Sequence, residues 1–435
     1  MHYRWNIKRL LIVLVLAGGF GGCASVMDER QSLLDDGVVL YETEVIVDPA
    51  SQTLNVSTEL QLLVTEESAS TIEFVLNGAL DLQLVNGCDV YGHRAEVFQP
   101  VPVWDVIEIE FIDSVAPGDV VSLRFDYSGG LDFDEAQFQY AGMLTPDWVD
   151  LNIDSMWHPV VAGFDRQMRG RMRLSFPEGW QVVGSGKTEF EDGQYRIRNE
   201  TPISDVPFAA APAMKSMKAG ALEVHYQDAS AERVEAVFET AIHCFEYLNG
   251  RFGQVDPMKT ARLVIADREG GGYARRNYIV LSAEEIEPDK PVGLHRFVCH
   301  ELAHYWTPTP GGMSPDHWMS EAFAEFVAGR FLGAHFGEEA YGEKLDRWKS
   351  GGQGHGPVWT PDLKERPSYE TMYWRAPWLL HQLGSKIGTE ALDIFIRRYM
   401  TEDILRTKHL LDELESIAGR EVAQWFKGEL SRDDW

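Results

Sequence analysis

Alternating apolar and polar positions dominate the first half of the chain. Leu54, Val56, Thr58, Leu60 and Leu62 share one face of an extended segment, with mostly polar residues between them. The pattern returns at Ile107, Ile109 and Phe111, at Val121, Leu123, Phe125 and Tyr127, and at Met172, Leu174 and Phe176. A period of two with one apolar face predicts antiparallel strands in a sandwich or open sheet. Asp-Pro, Pro-Gly and Gly-Gly steps supply the turns. Residues 38–215 therefore read as one all-β domain. The period changes after Ser230, a candidate N-cap. Val234, Val237, Phe238, Ala241, Phe245 and Leu248 then recur at helical spacing. Two short strands, 261–266 and 277–282, precede a run of helices to the end. The order predicts a multidomain protein: an N-terminal all-β saddle or sandwich, then an α+β, mostly helical domain over 216–435.

One predicted helix carries chemistry. His300-Glu301-Leu302-Ala303-His304 places two imidazoles one turn apart on a single face, where both reach one metal ion. Val298, Leu302 and Ala303 give the segment an apolar side, and Pro308, Pro310, Gly311 and Gly312 stop it. Ser314-Pro315 reads as an N-cap followed by proline at the first helical position. The helix that starts there carries Glu321, seventeen residues after His304. A sharp turn between the two helices can return that carboxylate to the histidine pair. Two His and one Glu leave a fourth position open, as catalytic zinc requires. Glu301 sits where its carboxylate faces a water on the metal. Glu325, one turn after Glu321, suits a partner for a ligand imidazole. His295 and His317 lack ligand spacing and are read as non-ligands.

These segments resemble the zinc aminopeptidases of the aminopeptidase N type, within the gluzincins that include thermolysin. His300 through Trp306 looks like their first metal helix, and Asp316 through Ala324 like their second. The interval between the two is slightly shorter here than in the family. Tyr373-Trp374-Arg375-Ala376 is similar to the family's Tyr-x-Lys-Gly element, which makes Tyr373 the expected donor to the oxyanion. The resemblance implies a thermolysin-like catalytic domain and peptide or protein substrates. It implies one Zn2+ per chain held by His300, His304 and Glu321, with Glu301 as the base. One segment departs from the family. Where a strand with a Glu grips the substrate's amine, this chain reads Gly271-Gly272-Tyr273-Ala274-Arg275. Gly271, Gly272 and Arg275 are therefore candidate substrate-binding residues. A guanidinium attracts carboxylates and repels ammonium groups, so aminopeptidase specificity does not carry over.

Composition narrows the partners. The chain has 435 residues, enough for two or three cores, and a formal net charge of −29. Such a surface disfavours nucleic acid and anionic lipid. The N-terminus reads as a targeting segment. Arg4, Lys8 and Arg9 precede an apolar run from Leu10 to Phe20 that is too short to span a bilayer. Phe20-Gly21-Gly22-Cys23 resembles a bacterial lipobox, with Phe20 in place of the usual Leu. The expectation is a signal peptide over 1–22, a lipidated Cys23 and a polar tether over 23–37. By resemblance to other bacterial lipoproteins, Ala24 and Ser25 after the Cys imply the outer membrane of a bacterial cell envelope, with the lipid as the contact to the membrane. Cys88, Cys244 and Cys299 remain. Three thiols make no disulfide framework, and Cys299 reads as a small buried structural thiol.

Two further readings stay open from sequence: a zinc-binding scaffold of the same fold without turnover, and a zinc hydrolase of a non-peptide bond. The Gly351–Pro357 segment reads as a surface linker or a cover for the site. Nothing in the chain fixes an oligomeric state.

Overall fold

The structure is a computed structural model that describes residues 29–65, 69–99, 101–133, 143–199, 201–268 and 270–433. After a helical stretch over 29–35, within the span read as a tether, the N-terminal region is built of strands. Val39–Asp48 pairs antiparallel with Thr53–Leu63 and parallel with Met168–Ser175, and Thr53–Leu63 pairs onward with Val120–Gly129. These belong to a seven-stranded sheet. A four-stranded sheet containing Ala69–Asn77 and Trp104–Val115 lies against it. The alternation explains the packing. Phe125 from the first sheet meets Phe74 from the second edge-to-face at 5.2 Å, and both are fully buried. Thr58, the polar member of the apolar face, is also buried, and its hydroxyl is bonded to Thr43 at 2.7 Å. A third sheet joins Trp180–Gly184, Phe208–Pro212, Val149–Leu151 and Met143–Leu144.

The second region opens on a five-stranded mixed sheet. Its order is Lys215–Ala219, Leu222–Tyr226, Ala261–Ala266, Tyr278–Ser282, Tyr273–Arg275. The short last strand is antiparallel to its neighbour and forms an edge. Helix α1 (Ala231–Phe252) starts at Ser230, whose hydroxyl accepts from the Arg233 amide at 3.3 Å. Helices α2 (Pro291–Ala303), α3 (Trp318–Phe336) and α4 (Glu338–Gly351) follow, and further helices run to Leu430. Their apolar faces share one core that runs from Leu222 to Leu430. A smaller cluster forms the seam between the two regions. It packs Trp148, Val183, Ala209 and Met214 against Val264, Ala266, Tyr278 and Val280. This β-rich region followed by a helical one matches the expected fold class.

The cysteine reading needs correction. Cys244 on α1 and Cys299 on α2 form a disulfide across 55 residues of sequence, with Cα atoms 5.3 Å apart. Cys299 is buried as expected but is not a free thiol. Pairing depends on two helices meeting, which a count of cysteines does not show. Cys88 is free and exposed. Cys23 and the proposed signal segment lie outside the described residues. Among the described residues, no helix is long and apolar enough to cross a membrane.

Candidate metal centre

Helix α2 begins with Pro291 at its first turn and ends at Ala303, with His304 as the capping residue. From Phe297 to Ala303 every residue is buried, so both members of the histidine pair are held in packed surroundings. The chain then turns. Ser314 accepts from the Asp316 amide at 3.1 Å and opens a short 3-10 turn, Pro315–His317, that leads directly into α3. Asp316 accepts from the Thr407 amide at 2.9 Å, and the Trp318 indole donates to the Thr407 hydroxyl at 2.9 Å. The start of α3 is thereby fixed against the helix Thr407–Ala418. From Trp318 to Gly329, α3 is buried on all sides, and Glu321 and Glu325 are its two carboxylates.

The structure brings the expected ligands together. His300 Nε2 and His304 Nε2 lie 3.2 Å apart, and Glu321 Oε2 is 3.4 Å from the first and 3.6 Å from the second. Three lone-pair atoms thus face one point, a donor set suited to zinc. Each opposite ring nitrogen faces a polar neighbour. His304 Nδ1 is 2.9 Å from the Thr307 hydroxyl, and His300 Nδ1 is 3.3 Å from Glu325 Oε2. Such outer contacts orient ligand imidazoles. Glu325 is itself fixed by Arg296 at 3.0 Å, by the Trp348 indole at 3.2 Å and by Lys344. Burial alone would raise its pKa, but Lys344 and Arg296, with His300 beside them, hold it well below the usual carboxylate range. Glu321 is likewise held far down. Burial opposes this, and His304, His300 and His317 override it.

Glu301 behaves in the opposite sense. It is 5% exposed, and burial raises its pKa despite the neighbouring His300 and His304. Gly272 lies directly against it. A Cβ at that position would stand 3.1 Å from the Glu301 carboxyl carbon and 2.6 Å from the Val280 carbonyl oxygen. The backbone leading into the edge strand can pass the carboxylate only because residue 272 lacks a side chain. Gly272→Ala should therefore shift the strand or the carboxylate and lower kcat about 10- to 100-fold while metal content stays at the native level. Unchanged turnover, read beside zinc analysis, would remove Gly272 from the site's support. A Cβ at Gly271 meets nothing, so that glycine is not required for space.

Tyr373 reaches the centre from a π-helical turn, Thr371–Arg375. Its hydroxyl donates to Glu321 Oε2 at 2.5 Å, and its ring stacks on His300 at 5.3 Å. The Gly351–Pro357 segment props this turn from behind. Thr371 donates to the His355 carbonyl at 2.7 Å, and Arg375 donates to the Gly356 carbonyl.

Arg275 takes a different place from the one expected. Its guanidinium, 15% exposed, is paired with fully buried Asp205 at 3.3 Å and lies over the Tyr273 ring. The guanidinium read from the sequence as a partner for a substrate carboxylate already has a buried counter-ion in Asp205. Arg275 ties the edge strand to the β-rich region, as does Tyr273, whose hydroxyl donates to Asp150 at 2.6 Å.

Sequence reasoning also set His317 aside. It is not one of the three converging ligands, but its Nε2 is 3.2 Å from Glu321 Oε1 and its Nδ1 is 3.2 Å from the Pro310 carbonyl. The i, i+4 spacing of His317 and Glu321 was the available signal.

No family model matches the chain, and a search of curated proteins finds no match. Solved structures do match. A two-domain M1 zinc metallopeptidase mutant with L-arginine bound superposes with a TM-score of 0.72 at 17% identity, covering 91% of this chain and 94% of that one. An M1 zinc metallopeptidase from Deinococcus radiodurans gives 0.69 at 16% identity, covering 92% and 94%. Leukotriene A4 hydrolase from Saccharomyces cerevisiae gives 0.71 at 17% identity, covering 91% of this chain and 68% of that one. At these identities the likeness is one of fold: the chain has the two-domain fold of the M1 zinc metallopeptidases.

Proposed function

We propose that this chain is a zinc-dependent peptidase. The observation that carries the proposal is the convergence of His300 Nε2, His304 Nε2 and Glu321 Oε2 beside a desolvated Glu301. A zinc ion held by those three residues would supply Lewis acidity and make water acidic near neutral pH. Glu301 is the base. Its raised proton affinity suits it to take a proton from the attacking water and return it to the departing amine. Tyr373, whose hydroxyl hydrogen goes to Glu321 Oε2 in the structure, would turn it to the oxyanion that develops at the scissile carbonyl. Glu325 keeps the His300 ring in place, and His317 steadies Glu321.

Tyr373→Phe should cost about 10²- to 10³-fold in kcat with little change in KM, the signature of a contact made in the transition state. A Phe variant with native kcat would exclude Tyr373 from the chemistry.

The amine-recognition strand is the finer question. Ala274 and Arg275 provide no carboxylate, and Arg275 is engaged by Asp205. This supports an aminopeptidase-like peptidase with altered recognition of the substrate's N-terminus, and it keeps hydrolysis of a non-peptide bond as the second reading. A peptide library digested by the zinc-loaded protein and read by mass spectrometry separates the cases. Ladders from the N-terminus mean an aminopeptidase, and internal cuts mean an endopeptidase. An uncut library from a zinc-loaded protein would refute the peptidase reading.

We also propose export to the cell envelope with a lipid on Cys23. The Cys244–Cys299 disulfide supports this, since such bonds persist in oxidising compartments and are rare in the cytosol.

A further inference from the structure

A second group of imidazoles lies outside the centre described above. His243 on α1, His295 on α2 and His335 near the end of α3 each present a ring nitrogen within 4.8 Å of the other two. We propose that these three histidines form a second metal site, specific for a transition-metal dication of borderline softness such as zinc or copper.

The central observation is His295. It is 8% exposed, and its Nδ1 is 2.8 Å from the Pro291 carbonyl oxygen. A carbonyl can only accept, so Nδ1 carries the hydrogen and Nε2 carries the lone pair. That Nε2 is buried and has no hydrogen-bond partner. Buried polar atoms without partners are uncommon and costly, and they call for an explanation. Stacking does not supply one. His295 is stacked with Phe331 at 6.0 Å, with His335 at 4.9 Å and with His243 at 5.8 Å, and is edge-on to Phe336 at 4.9 Å. These contacts satisfy the ring faces and leave the lone pair free. A cation shared with His243 and His335 would satisfy it, and the fixed Nδ1 hydrogen bond is the outer contact that ligand histidines usually make.

The surroundings fit such an ion. His243 and His335 are exposed, with ring centroids 4.6 Å apart, so the ion can enter from solvent and keep an open position. Burial and the neighbouring rings lower the proton affinity of His295 and His335, which keeps both in the neutral, ligating form. Glu239, one turn before His243 on α1, is a carboxylate whose charge acts on His295. Three imidazoles without a hard oxygen ligand favour zinc or copper over magnesium or calcium. The ion would join α1, α2 and α3. Two of these helices carry the ligands of the first centre, and the disulfide already joins α1 to α2.

The proposal does not depend on peptidase activity, and its test reads metal rather than turnover. The full chain is dialysed against zinc, then against metal-free buffer, and analysed for bound metal. The wild type should hold two equivalents. H243Q/H335Q, which changes two exposed side chains, should hold one. H300A/H304A should also hold one, and the combined variant none. Copper loaded into the H300A/H304A protein should show nitrogen hyperfine structure in its electron paramagnetic resonance spectrum, and adding H335Q should abolish it. A wild type that holds one equivalent, or an H243Q/H335Q variant that retains the wild-type number, would overturn the second site. Loss of metal only in H300A/H304A would do the same while leaving the first centre intact.

Discussion

Glu301→Gln should leave zinc content unchanged and reduce kcat by about 10²- to 10⁴-fold, the range that a positioned general base supplies. The substitution keeps the shape of a side chain packed against Gly272 and removes its ability to accept a proton. Glu301 is not among the converging ligand atoms, so metal should be held as before. The size of the effect follows from the environment. Burial raises the proton affinity of Glu301 although His300 and His304 lie beside it. Burial also shields it from bulk water that would otherwise compete with it as the proton acceptor. Metal analysis together with kcat on a cleaved library peptide checks the prediction. Turnover within a few-fold of wild type would assign the base elsewhere, and joint loss of zinc would mean that Glu301 shapes the ligand set.

The second large effect concerns stability. Cys244→Ser/Cys299→Ser should destabilise the fold by about 4 kcal/mol, from the chain-entropy relation for a closed loop of 55 residues. The loop includes the strands Ala261–Ala266, Tyr273–Arg275 and Tyr278–Ser282. Without the bond, the unfolded chain regains the freedom of this whole stretch. Cys299 is also the residue before His300, so the loss should be felt next to the first ligand. Urea unfolding of the double variant beside the wild type, with and without a reductant, provides the measurement. If reductant shifts the wild-type midpoint no more than the variant's, the bond does not carry this load.

Much of the candidate metal centre was legible because its information is local. His300 and His304 declare themselves by spacing on one helix. Glu321 and Glu325 follow from the same rule on the next, and the Pro and Gly residues between mark the turn that folds one helix back on the other. The strands at Thr53–Leu63 and Val120–Gly129 were legible for the same reason, since alternation is written residue by residue. What escaped depends on distant partners. Asp205 neutralises Arg275 from 70 positions upstream, and no pattern around Arg275 announces it. Cys244 and Cys299 pair only because α1 crosses α2. His243, His295 and His335 come from three helices, and each alone reads as an ordinary helical histidine. Gly272 read as a substrate-binding candidate, not as a neighbour of the base. Its contact with Glu301 appears only once the edge strand is laid beside α2.

That edge strand is held from outside its own sheet. Tyr273 and Arg275 reach across to Asp150 and Asp205, which belong to the β-rich region. On the proposed function, the strand that would wall the substrate track beside Glu301 is thus moored to a part of the molecule that supplies no ligand. The N-terminal half acts as a jig that sets how closely the wall approaches. Selectivity should be tunable from there, by substitutions around the moorings that never touch the reacting atoms.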